Sequence, residues 1–104
     1  MRVSYRINII FIFDIMDPII VYPAVYVLKL EDDCYYVGIS YNLNIRWSQH
    51  WNGIGAKWTR LHKPIEVIRV IYPAVEHDIE NRITREYIEL YGSDKVRGGN
   101  YCKC

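Results

Sequence analysis

Two tyrosines, an arginine, a histidine and an acidic late segment are the residues whose types and spacing could do chemistry in this chain. Tyr26 and Tyr36 stand on either side of Glu31-Asp32-Asp33, with Val25 and Val27 before that acidic turn and Ile39 after it. β-Branched and aromatic runs about such a turn predict a β-hairpin. Pairing its arms can bring the two phenols onto one sheet face, in a register the sequence leaves open. Gly38 follows Tyr36 closely, and a glycine within a strand predicts a bulge or the close approach of another backbone or a ligand. Downstream, Leu43, Trp47 and Trp51 recur as one apolar face of a short helix requires, with Ser40 or Asn42 available to cap its start. Arg46 and His50 share the neighbouring face. An arginine there can hold a phosphate through two parallel hydrogen bonds, which a lysine does less well. The plainer readings are a surface ion pair for Arg46 and a polar surface position for His50.

Charge is segregated although the formal net charge is only +1. No Asp or Glu occurs from Cys34 through Ile65, where Arg46, Lys57, Arg60 and Lys63 stand with His50 and His62. Glu76, Asp78, Glu80, Glu86, Glu89 and Asp94 then dominate. Such a chain can set a phosphate-attracting face beside a carboxylate able to hold a metal. Lys57, Arg60 and Lys63, interleaved with Trp58, suit a surface that tracks a nucleic-acid backbone. Trp58 reads equally as core.

The elements that must position these groups are few. Residues 65–72 are rich in β-branched side chains and predict a third strand. A helix is predicted over 76–91, with Ile79, Ile83, Tyr87 and Leu90 as its buried stripe and Gly92 as its stop. On that helix Glu80 lies next to the stripe and can point across the sheet edge. Glu86 lies about 200° further round, toward solvent. Either could instead pair with Arg82, Arg85 or water. The chain of 104 residues is one small α/β domain, expected as a small three-stranded antiparallel sheet sandwiched by helices.

Residues 1–13 are apolar and β-prone, but Asp14, Asp17 and Pro18 break them before a signal peptide or a membrane span is reached. Met16 is a candidate natural start, which makes 1–15 an N-terminal extension of a domain over 16–104. Three cysteines, Cys34, Cys102 and Cys104, suit a reduced, intracellular protein. The terminal pair leaves a truncated metal knuckle as the lesser reading.

Ala24-Val25-Tyr26 and Tyr36-Val37-Gly38 resemble the two tripeptides that name the GIY-YIG nuclease superfamily. Asn42-Leu43, Arg46 and His50 match the pattern that follows, and Gly55-Ala56-Lys57-Trp58-Thr59 is similar to a further stretch of it. The tail, from Tyr91-Gly92 through Asp94, Val96-Arg97-Gly98-Gly99 and Tyr101, resembles a subgroup of GIY-YIG proteins found in large DNA viruses and some phages, which implies the cytoplasm or nucleus of a host cell. Ala24 departs from the family glycine, and the helix's expected carboxylate aligns with Thr84.

The resemblance, over Tyr22 to Cys102, implies metal-dependent hydrolysis of DNA phosphodiesters. It puts Arg46 on the scissile phosphate and Glu80, one turn before Thr84, on a single Mg²⁺ or Mn²⁺. Tyr26 would deprotonate or orient water, Tyr36 would support phosphate or water, and His50 would relay a proton or touch phosphate. Asn100 is the counterpart of an asparagine placed near the family's site. The alternatives are a nucleic-acid-binding module that has lost catalysis and a plain interaction domain. Monomer and homodimer both stay open.

Overall fold

The computed structural model describes residues 3–9, as backbone, and 21–103. Met16, and with it the expected boundary between 1–15 and 16–104, lies outside them, as does Cys104 of the terminal cysteine pair.

β2 (Ala24–Leu30) and β3 (Tyr35–Ser40) form the hairpin. Their link is a 3₁₀ turn, Glu31–Asp33, in which Asp32 and Asp33 take left-handed backbone angles, a conformation aspartate tolerates better than most residues. β2 also pairs antiparallel with β4 (Pro64–Tyr72). This antiparallel trio is the sheet expected from sequence, but it is only the centre of a larger one. β1 (Val3–Ile9) adds parallel to β4, and β5 (Val96–Gly98) adds parallel to β3, giving a five-stranded mixed sheet in the order β1-β4-β2-β3-β5. β5 escaped the sequence reading because three residues running into Gly98-Gly99 are too few to show alternation.

β2 is buried on both faces, so it reads as a nearly unbroken apolar run. Ala24, Tyr26, Leu28 and Leu30 face one layer with Trp47 and Trp58, while Val25 and Val27 face the other with Ile79, Ile83 and Tyr87. The first layer is built by α1 (Leu43–Trp51) and α2 (Lys57–Leu61), the second by α3 (Ile79–Tyr91). Asn42 caps α1: its Oδ1 accepts the Ile45 N–H at 3.1 Å. α3 begins at Ile79 rather than at residue 76, because Asp78 holds φ 61, outside the helical region.

The tail is tied to both layers. Trp58 Nε1 donates to Tyr35 O at 3.0 Å, and the Arg97 guanidinium lies 4.3 Å over the Trp58 ring. Among the described residues no helix is long and apolar enough to cross a membrane.

Candidate active site

Cross-strand register decides how the phenols meet. Tyr26 stands opposite Gly38, and Tyr36 opposite Leu28, so the tyrosines are diagonal neighbours with ring centroids 6.3 Å apart. The close approach at Gly38 is that of Tyr26 itself: a Cβ on Gly38 would fall on the Tyr26 ring and hydroxyl. Any side chain at position 38 would therefore push Tyr26 off the sheet.

α1 lies across this face. His50 is fully buried, with its ring 5.0 Å from that of Tyr36. Its Nε2 is 2.8 Å from the Tyr26 hydroxyl, and its Nδ1 is 2.9 Å from Thr59 Oγ1. One turn earlier, the Arg46 guanidinium donates to Gln49 Oε1 at 2.8 Å and lies against both phenols. Trp47 packs edge-on against Tyr26 at 6.0 Å, and its buried Nε1 has no partner among the described residues.

The electrostatics follow from burial. Loss of water, then the Tyr36 phenol, pushes the Tyr26 phenol up; the Arg46 charge opposes this. Tyr36 is raised for the same first reason and lowered by Arg46. Burial first, and the Arg46 charge second, push His50 down to about 4. The free protein therefore holds a neutral phenol hydrogen-bonded to a neutral imidazole.

Glu80 reaches this cluster around the sheet edge. β5 stops at Gly98, opposite Val37 of β3, and Glu80 in the first turn of α3 lies within electrostatic range of both phenols. Burial raises the Glu80 carboxyl, and the Gly99 N–H against it partly offsets this. Glu86 faces elsewhere, 3.4 Å from Arg69 of β4. Thr84 is fully buried under Gly98, and its hydroxyl donates to Glu80 O at 2.7 Å. A Cβ on Gly98 would contact Thr84 Oγ1 and Val37 O, so the wall beneath position 84 leaves a longer side chain little room.

The remaining sequence candidates do not all join the cluster. Lys57 and Arg60 are exposed on α2. Lys63 sits at the hairpin-turn end, where its carbonyl accepts the Glu31 N–H, five residues along β2 from Tyr26 or about 17 Å. Asn100 is exposed, and its backbone N–H donates to Asn81 Oδ1 at 2.7 Å. Its side chain lines a separate hollow with Ile88, Ser93 and Arg97. Sequence reasoning quoted Gly55 and Thr59 as members of a family-like stretch without a role for either, and gave none to Gln49 or Asn81. A Cβ on Gly55 would strike His50 Nδ1, and Asn81 with Glu80 clamps successive N–H groups of the tail.

Beyond the Ala24–Ser40 pair, two residues along the strands from Tyr26–Gly38, lies an open hollow of about 360 Å³ lined by Tyr22, Tyr41, Asn42 and Tyr72.

The chain is similar to the UPF0213 protein CPE1444 of Clostridium perfringens, 31% identical over 86 residues that cover 76% of this chain and 92% of the relative. It is also 30% identical over 76 residues to the UPF0213 protein YazA of Bacillus subtilis, covering 67% of this chain and 77% of that one. No solved structure matches. The family model described as the GIY-YIG catalytic domain matches residues 22–95, from the strand carrying Tyr26 to the loop after α3. The chain belongs to the GIY-YIG catalytic domain family.

Proposed function

We propose that this chain is a divalent-metal-dependent endonuclease that hydrolyses phosphodiester bonds in DNA. The observation that carries the reading is the meeting at one phenol, Tyr26, of a buried neutral histidine and an arginine, within electrostatic range of the Glu80 carboxylate on α3. A phosphodiester resists attack because it is anionic and its leaving oxygen is poor, so a site must offset charge and manage a proton.

In this reading Arg46 holds the scissile phosphate. Tyr26 takes the proton of the attacking water and passes its own to His50. Tyr36 donates a hydrogen bond to a phosphate oxygen. Lys57 and Arg60 receive the flanking backbone; Lys63 and Asn100 meet DNA further from the cut. The reading places the chain inside the cell, with the tail's resemblance to viral and phage proteins standing beside its bacterial relatives.

Among the described residues no group of three or more His, Cys, Asp and Glu converges, and the carboxylate within electrostatic range of both phenols is Glu80. That donor set fits Mg²⁺ or Mn²⁺, which are commonly held by one or two carboxylates together with substrate phosphate and water. Bound at Glu80, the ion would supply positive charge to the phosphate and the leaving oxygen.

A second reading, a binding module without catalysis, is favoured by one observation: the position aligned with the family carboxylate is a fully buried threonine, Thr84. Nicking of supercoiled plasmid with Mg²⁺ or Mn²⁺ separates the two. The nuclease reading expects nicking that is lost in Tyr26→Phe and Glu80→Ala and kept in Glu86→Ala. Salt-sensitive DNA binding without nicking would select the binding module.

A further inference from the structure

The hydroxyl of Thr59 is 2.8 Å from Ala56 O and 2.9 Å from His50 Nδ1. A threonine hydroxyl carries one proton. If that proton goes to Ala56 O, as threonine within a helix commonly arranges, the oxygen accepts from His50, and Nδ1 carries the ring's hydrogen. The reverse assignment puts the proton on the bond to Nδ1. It leaves Thr59 Oγ1 and Ala56 O facing each other at 2.8 Å with no hydrogen between them. Only the first assignment makes every contact favourable.

Among the described residues, Thr59 Oγ1 is the hydrogen-bond partner of Nδ1. His50 is fully buried, and Gly55 lies so close to Nδ1 that a Cβ there would overlap it. With Nδ1 protonated in a neutral ring, Nε2 presents its lone pair to the Tyr26 hydroxyl 2.8 Å away.

We propose that Thr59 is a positioning residue that fixes the Nδ1–H tautomer of His50 and so makes Nε2 the acceptor of the Tyr26 proton. The catalytic consequence rests on the nuclease reading above; the tautomer does not. In the relay, the Tyr26 O–H bond breaks as N–H forms at His50 Nε2, and the vacated phenol oxygen takes the proton of the attacking water. The reverse tautomer presents an N–H to Tyr26, and the relay has no acceptor.

Long-range proton–nitrogen correlation spectra of the labelled histidine rings read the tautomer directly, with or without catalysis. The native protein is expected to show His50 protonated on Nδ1 and bare on Nε2. Thr59→Val, close in shape but unable to accept, should shift the ring toward the Nε2–H form. Thr59→Ser should restore the native pattern and shows that any change is not general misfolding. Finding the proton on Nε2 in the native protein overturns the proposal. So does an unchanged tautomer in a folded Thr59→Val.

In the nicking assay kcat should fall about tenfold to a hundredfold in Thr59→Val with KM unchanged, and return in Thr59→Ser. A native protein with the expected tautomer and no nicking sinks the nuclease reading while leaving the Thr59 assignment standing.

Discussion

His50 makes the protein's stability depend on pH in a way that can be worked out beforehand. Its ordinary value is 6.5, and burial, with Arg46 second, pushes it down to about 4 in the fold. The folded value is the lower one, so the unfolded chain binds the proton first on acidification. The contribution is therefore complete above pH 6.5 and is lost as pH falls toward 4. The whole difference is about 3 kcal/mol, of which about 2 kcal/mol disappears between pH 7 and pH 5. The perturbation is acidification, and His50→Gln, which cannot titrate, is the control. Urea unfolding at pH 7 and pH 5 measures it. The native protein should lose about 2 kcal/mol more than the variant, a difference of about 1 M in urea midpoint for a small domain. Glu80, raised by burial, works in the opposite sense, gaining stability as pH falls, but it is present in both proteins and cancels. The surface histidines cancel in the same way. Parallel losses in the two proteins would refute the claim that His50 is held neutral by burial.

Gly38→Ala should cost about 1–3 kcal/mol and suppress nicking, because the new methyl meets the Tyr26 ring; urea melts alongside plasmid assays check both. Glu80→Gln should abolish metal-dependent nicking yet leave thermal stability unchanged or slightly raised, since burial already disfavours the charged form; calorimetry with the nicking assay tests this. Asn81→Ala removes the acceptor of the Asn100 N–H and the donor to Asp78, so it should cost about 1 kcal/mol and speed amide exchange at Asn100, read by hydrogen–deuterium exchange.

The hairpin, α1 and the outline of α3 were legible because each is local: a turn between β-prone runs, a four-residue apolar repeat, a glycine stop. The diagonal meeting of Tyr26 and Tyr36 was not, since register depends on how β2 and β3 pair and not on either strand alone. A helical wheel could rank Glu80 above Glu86, but Arg69, on a strand far away in sequence, shows why Glu86 is engaged elsewhere. Thr59 was invisible as a site residue for a related reason. It is a lone hydroxyl on a five-residue helix, and only tertiary packing brings it to His50. β5 and the clamp on the tail likewise depend on residues more than ten positions apart.

In the nuclease reading, the opposed shifts of Tyr26 and His50 constrain how a proton can move through the site. Both arise mainly from the same loss of water, which penalises phenolate and imidazolium alike. A stepwise route that first makes a full tyrosinate beside a full imidazolium must pay for two buried charges before any bond to phosphorus forms. A route in which water gives up its proton as Tyr26 passes one to His50 never builds the phenolate. The positive charge then appears at His50 only as negative charge appears on the phosphate held by Arg46. Burial of the pair, which looks hostile to acid–base chemistry when each residue is taken alone, thus favours coupled transfer. Coupled transfer in turn demands that Nε2 be the acceptor before substrate arrives.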